Sequence, residues 1–108
     1  MTNEEKALKL AVMIPEASVD DLLTFVDISE AIVLNRRYPF GYPEGTAVEP
    51  RYEMLQLQIA VEIYNRQGAE GEQSHSENGI SRSYENAYVS SSLLKRIVPY
   101  AGVPNADA

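Results

Sequence analysis

Residues 50–67 read Pro-Arg-Tyr-Glu-Met-Leu-Gln-Leu-Gln-Ile-Ala-Val-Glu-Ile-Tyr-Asn-Arg-Gln, a run with no glycine and its only proline at the first position. Proline is compatible with a helix's first turn, where its missing N–H would have had no partner. Set at ~100° per residue, Arg51, Gln58, Glu62 and Asn65 share one narrow polar strip. Tyr52, Leu55, Leu57, Ile59, Ala60, Val61, Ile63 and Tyr64 fill most of the remaining circumference. A helix apolar over so much of its surface is packed by neighbours on several sides. The spacing therefore predicts a central helix from Arg51 to Gln67, ended by Gly68 as a C-cap, and with it a mainly α fold.

Upstream, two more helices are legible. Glu4 to Ile14 places Ala7, Leu8, Leu10, Ala11 and Ile14 at helical spacing, puts acids in the first turn, and stops at Pro15. Ser18, with Asp21 three residues on, caps a helix running to Arg36-Arg37. Its stripe is Leu22, Phe25, Val26, Ile32 and Val33, with Asp20, Asp27, Glu30 and Asn35 off it. The two arginines suit a C-terminal dipole, or a phosphate or carboxylate on a partner. Residues 38–50 hold Pro39, Pro43 and Pro50 with Gly41 and Gly45, too many breakers for a regular element. Tyr38, Phe40 and Tyr42 are expected to pin this loop to the body.

Downstream, Ser90 is expected to cap a last helix over 90–98, with Val89 and Leu94 as a staple and Leu93, Leu94, Ile97 and Val98 buried. Pro99 and Gly102 end it, and 103–108 is expected to fray. Between the third and fourth helices, residues 68–92 carry seven of the nine serines and, as large apolar groups, Ile80, Tyr84, Tyr88 and Val89. Such a stretch buries too little surface to fold by itself. Asn78-Gly79 is nevertheless the preferred type I′ hairpin turn, with Gln73–Glu77 and Ile80–Glu85 as its arms. An isolated two-stranded hairpin is marginal in water. The arm is thus read as held by something else, such as a neighbouring chain, with ordinary surface looping as the alternative. The expected architecture is a small bundle of about four helices over 1–108, with a long polar loop or β-hairpin arm at 68–89 between the last two.

Composition excludes more than it proposes. The chain has 108 residues with 9 basic and 16 acidic side chains, a net charge of −7, and no cysteine. A domain this small buries only roughly 60–68% of its unfolded surface, so assembly would help it. The acid excess argues against a duplex-DNA reader, which needs a basic face. Without cysteine there are no disulfides, thiolate sites or thiol nucleophiles, which suits a reducing compartment. No apolar run approaches the roughly 20 residues of a membrane span, and the start, Met-Thr-Asn-Glu-Glu, lacks the basic region of a signal peptide.

The sequence offers no catalytic constellation. His75 is the sole histidine, and although serines and Glu77 flank it, a triad needs positioning by separate rigid elements. A zinc site needs three or four His or Cys type ligands. Glu70, Glu72 and Glu77 lack calcium-loop spacing, and Gly41 and Gly45 form no phosphate cradle. Serines 90–92 read as a cap. No catalytic, cofactor or metal residue is assigned. Lys95-Arg96, beside an apolar face, suits docking in an acidic groove. A small helical DNA-binding or regulatory protein is the alternative, with Lys95 and Arg96 as its most basic helix.

The order of elements, together with Ile63-Tyr64-Asn65-Arg66, Gly71-Glu72-Gln73-Ser74-His75-Ser76-Glu77-Asn78-Gly79-Ile80-Ser81-Arg82-Ser83-Tyr84-Glu85, Ser92-Leu93-Leu94 and Ile97-Val98-Pro99-Tyr100, resembles the small head-tail connector proteins of tailed bacteriophages and prophages. These are also called adaptor, head-completion or DNA-packaging proteins. The resemblance implies a helical, non-enzymatic virion protein, assembled in the host cytoplasm into a ring of usually twelve copies beneath the portal. That ring extends the DNA channel and offers a platform to the next connector or tail-completion protein. DNA would pass without specific binding, and no membrane or cofactor is implied. On this reading His75, Asn78, Gly79, Ile80, Arg82 and Tyr84 form the subunit-contact arm, and Leu93, Leu94, Lys95, Arg96 and Ile97 dock on the portal or another partner. The chain departs from the family pattern in ending soon after Tyr100.

Overall fold

The computed structural model describes residues 1–66 and 89–102. Among these, α1 (Asn3–Met13), α2 (Val19–Arg37), α3 (Pro50–Arg66) and the short α4 (Ser91–Leu94) make a mainly α fold with no strand. Helices α1 and α2 begin where a side chain supplies an orphan N–H group with an acceptor. Thr2 Oγ1 accepts from the Glu5 N–H at 3.1 Å while Glu5 returns a 2.7 Å bond from the Thr2 N–H, a reciprocal capping box. Those bonds favour the ionised form of the exposed Glu5, whose pKa lies below the ordinary carboxylate value. At α2, Ser18 Oγ accepts from the Asp21 N–H at 3.1 Å, as the spacing predicts.

The core is one cluster fed by α1, α2, α3, the 38–49 loop and the 89–97 segment. Its middle layer is α2, which packs on both α1 and α3, while α1 and α3 meet only lightly. This corrects the expectation that the helix over 51–67 is the central one. Leu22, Phe25, Val26, Ile28, Ser29, Ile32, Val33 and Leu34 of α2 are all buried, so α2 is covered on more of its circumference than its stripe predicts.

Several side chains depart from the pattern of the sequence. Leu8 is exposed, and Lys6, on the same helix, is buried at 2% exposure. Gln56 is buried inside α3 although it is polar. Phe40 points to solvent, so Tyr38 and Tyr42 hold the 38–49 loop without it. The last helix is one turn rather than 90–98, and Val98 is 59% exposed. Ser90 makes no side-chain cap there; its N–H donates to the Glu62 carboxylate, tying the start of α4 to α3. Val89 and Leu94 are both buried, as a staple requires. The C-cap at Gly68, the hairpin at 73–85 and the tail 103–108 lie outside the described residues.

Candidate functional site

Two regions concentrate side chains that the fold alone does not require. The first centres on Arg37, at the end of α2. Its Nε and Nη2 form a bidentate pair with Glu49, Nη2 reaching Oε2 at 3.4 Å, and its Nη1 donates to the Val98 carbonyl at 2.9 Å. The guanidinium lies over three rings, 5.5 Å from Tyr38, 5.9 Å from Tyr52 and 5.3 Å from Tyr100. The planar fork of arginine, unlike the compact ammonium of lysine, can do both at once. The Tyr100 N–H donates to the Arg37 carbonyl at 2.6 Å and the Val98 N–H to Tyr52 Oη at 3.1 Å. Arg37 thereby latches residues 98–100 onto the junction of α2 and α3. The Arg37 hydrogen bond holds the Glu49 carboxyl below its ordinary value, and Glu49 in turn raises Arg37. The sequence shows Arg37 only as half of a basic pair at a helix end; the three tyrosines converging on it come from distant positions.

The second region is an open groove of about 440 Å³ between α1, α3 and the segment that carries α4. Leu10 and Met13 of α1, Met54, Leu57 and Val61 of α3, and Leu93 supply its apolar wall. Gln58, Glu62 and Asn65, the polar strip of α3, form its edge. Glu62 is neutralised there by Arg66 at 3.8 Å as well as by the Ser90 N–H. Arg96 leans over the same edge and donates to Gln58 Oε1 at 3.2 Å. Met13 and Met54 are largely exposed, so the groove offers soft, adaptable apolar surface.

Of the residues named for partner docking, Leu94 and Ile97 are buried in this chain's own core, Leu93 is half-buried on the groove, and Lys95 and Arg96 are exposed. The structure thus separates an inward pair from an outward pair along one short segment. His75, Asn78, Gly79, Ile80, Arg82 and Tyr84 lie outside the described residues. A third feature is internal. Lys6 Nζ donates to Gln56 Oε1 and lies 3.7 Å from Glu53 Oε2, and Gln56 Nε2 donates to the Val26 carbonyl at 3.1 Å. This polar ladder joins all three long helices and satisfies each buried group it contains. Lys6 and Glu53 also line an open pocket with Glu30 and Pro50, and the ladder itself, closed by Gln56 and the Val26 carbonyl, reads as a register device. Among the described residues no group of acids or histidine could hold a metal ion, and no helix is long and apolar enough to cross a membrane.

Compared with known families, residues 5–100 match the phage gp6-like head-tail connector protein family. Neither the curated proteins nor the solved structures give a match.

Proposed function

The chain belongs to the phage gp6-like head-tail connector family, and from that membership we propose that it forms a ring beneath the portal, extends the DNA channel and joins the head to the next tail-side component. The connector role belongs to the family; ring, channel and partners are inferences for this chain. The match across 5–100 carries the reading, because it spans α1 to Tyr100 and so includes every described helix but the first residues of α1.

Three physical points support it. A marginal 108-residue subunit gains stability when copies bind the folded state. A net charge of −7 repels phosphates, so DNA slides past instead of sticking. A head-to-tail contact between identical copies closes into a ring when its rotation allows. Twelve copies, a position at the head–tail junction of the virion, and non-enzymatic action complete the proposal. Residues 68–89 supply subunit contact through His75, Asn78, Gly79, Ile80, Arg82 and Tyr84. The segment from Leu93 to Ile97 faces the portal, with Lys95 and Arg96 as its outward groups and Leu94 and Ile97 as its internal anchors.

Native mass spectrometry of the chain with and without portal rings tests this. Added copies on the portal, in a number matching its symmetry, are expected. A chain that stays monomeric and never joins the portal overturns it.

A further inference from the structure

We propose that the groove between α1, α3 and the α4 segment receives residues 67–88 of a second copy of the chain, with Ile80 and Tyr84 as the side chains that fill it. This rests on the ring assembly proposed above and adds the surface on which one copy holds the next.

Where the chain leaves and returns is the first support. Asn65 and Glu62 line the groove, Arg66 follows the first and the Ser90 N–H bonds the second, so the chain leaves at 66 and resumes at 89 beside its edge. Ile80 is nine residues before Val89, a length that spans roughly 30 Å when extended. The eleven steps along α3 from Met54 to Asn65 cover only about 16 Å. Residues 67–88 are thus long enough to pass beyond their own groove and reach an adjacent copy.

Charge is the second support. Residues 67–88 contain Glu70, Glu72, Glu77 and Glu85 against Arg82, a net −3. The groove's border carries Arg66 and Arg96, which reach the lining Glu62 and Gln58, a net +1 with Glu62 counted. Burial is the third. Met13 and Met54 stand exposed at 67% and 63% beside a groove that is already apolar. Large apolar groups grouped in this way mark an interaction site. A contact in which the groove of one copy takes the stretch of the next is heterologous, the type that generates rings.

The chain has no cysteine, so a disulfide between introduced cysteines reports proximity without background. Met54→Cys and Ile80→Cys, made in separate chains, are mixed with portal rings, oxidised, and analysed by peptide mapping while native mass spectrometry counts the copies. A disulfide forms only when the two Cα atoms come within about 7 Å. The expected result is a covalent link between the two different chains, at least tenfold above a control pairing Ile80→Cys with Asp20→Cys on α2. Rings that form with no such excess overturn the groove assignment and leave the ring reading standing. A double variant that links only within a single chain also overturns it. Failure of any ring to form overturns both.

Discussion

The two sides of α3 are equally rich in apolar residues and end in opposite situations. Gln56, Ile59 and Ile63 face the bundle, and each is 0% exposed. Met54 and Val61, with the buried Leu57 between them as its floor, form one wall of an open groove at the same helical spacing. The first side is closed by α2, whose Phe25 meets Tyr64 edge to face at 6.0 Å and whose Val26 carbonyl takes a bond from Gln56. The second is bordered by α1 and Leu93 and is left open by the described residues. An apolar pattern states that a side chain is suited to burial; it does not state which partner buries it. In an assembling protein, part of that pattern is addressed to another chain.

Truncating the closed side should produce the largest effect. Ile59→Ala is expected to cost about 2–5 kcal/mol, read as a lowered midpoint in urea unfolding with the slope unchanged. Val61→Ala, on the groove, should cost under about 1 kcal/mol. Equal losses at the two positions would erase the difference between the sides.

The polar ladder sharpens the comparison, because it belongs to the closed side alone. Lys6→Met leaves Gln56 Oε1 without its donor, and Gln56→Leu leaves the buried Lys6 ammonium with only the Glu53 carboxylate, 3.7 Å away. Each single change is expected to cost about 1–3 kcal/mol. The double variant should recover most of that loss, since removing both partners leaves no unsatisfied buried charge. Additive single-variant losses would mean that the ladder is not one unit.

These side chains also show what the sequence could and could not convey. The three long helices, the Ser18 cap and the loop at 38–49 were legible because capping, breaker density and apolar period are local properties. Lys6 and Gln56 were not. Lys6 reads as a solvated lysine, and its burial depends on Gln56, fifty residues away, presenting an oxygen to it. Arg37 was visible only as a helix-end charge, since Glu49, Tyr52 and Tyr100 reach it by tertiary packing. The docking segment was legible as a mixture of apolar and basic groups. Which of them turn inward depends on the approach of α3 to Ser90 and on the Arg37 latch, and no periodicity encodes that.

The latch is expected to show a smaller, pH-dependent effect. The Arg37 bond holds the folded pKa of Glu49 below the ordinary carboxylate value. Its contribution to stability is therefore complete above the unfolded value and is lost as pH falls through the lower folded one. For a partly exposed pair this contribution is about 1 kcal/mol or less. Hydrogen exchange at the Tyr100 N–H, which bonds the Arg37 carbonyl, should speed up relative to its intrinsic rate below about pH 4.5. Glu49→Gln should give that weaker protection at every pH and flatten the acid dependence. An unchanged acid dependence in Glu49→Gln would place its source elsewhere.

The smallest effect on stability is expected at Met54. It is 63% exposed, so the folded subunit gains little from its side chain, and Met54→Glu should shift unfolding by under about 0.5 kcal/mol. The same substitution places a carboxylate on the groove proposed to take an acidic stretch, where like charges repel and the new charge loses water on binding. Ring formation on the portal should fall at least tenfold while the melting curve of the free subunit stays in place. That separation between stability and assembly is the behaviour expected of the open side of α3 and of no residue on the closed side. A Met54→Glu chain that assembles normally would place the subunit contact on another surface, whereas one that melts early would make the groove part of the subunit's own core.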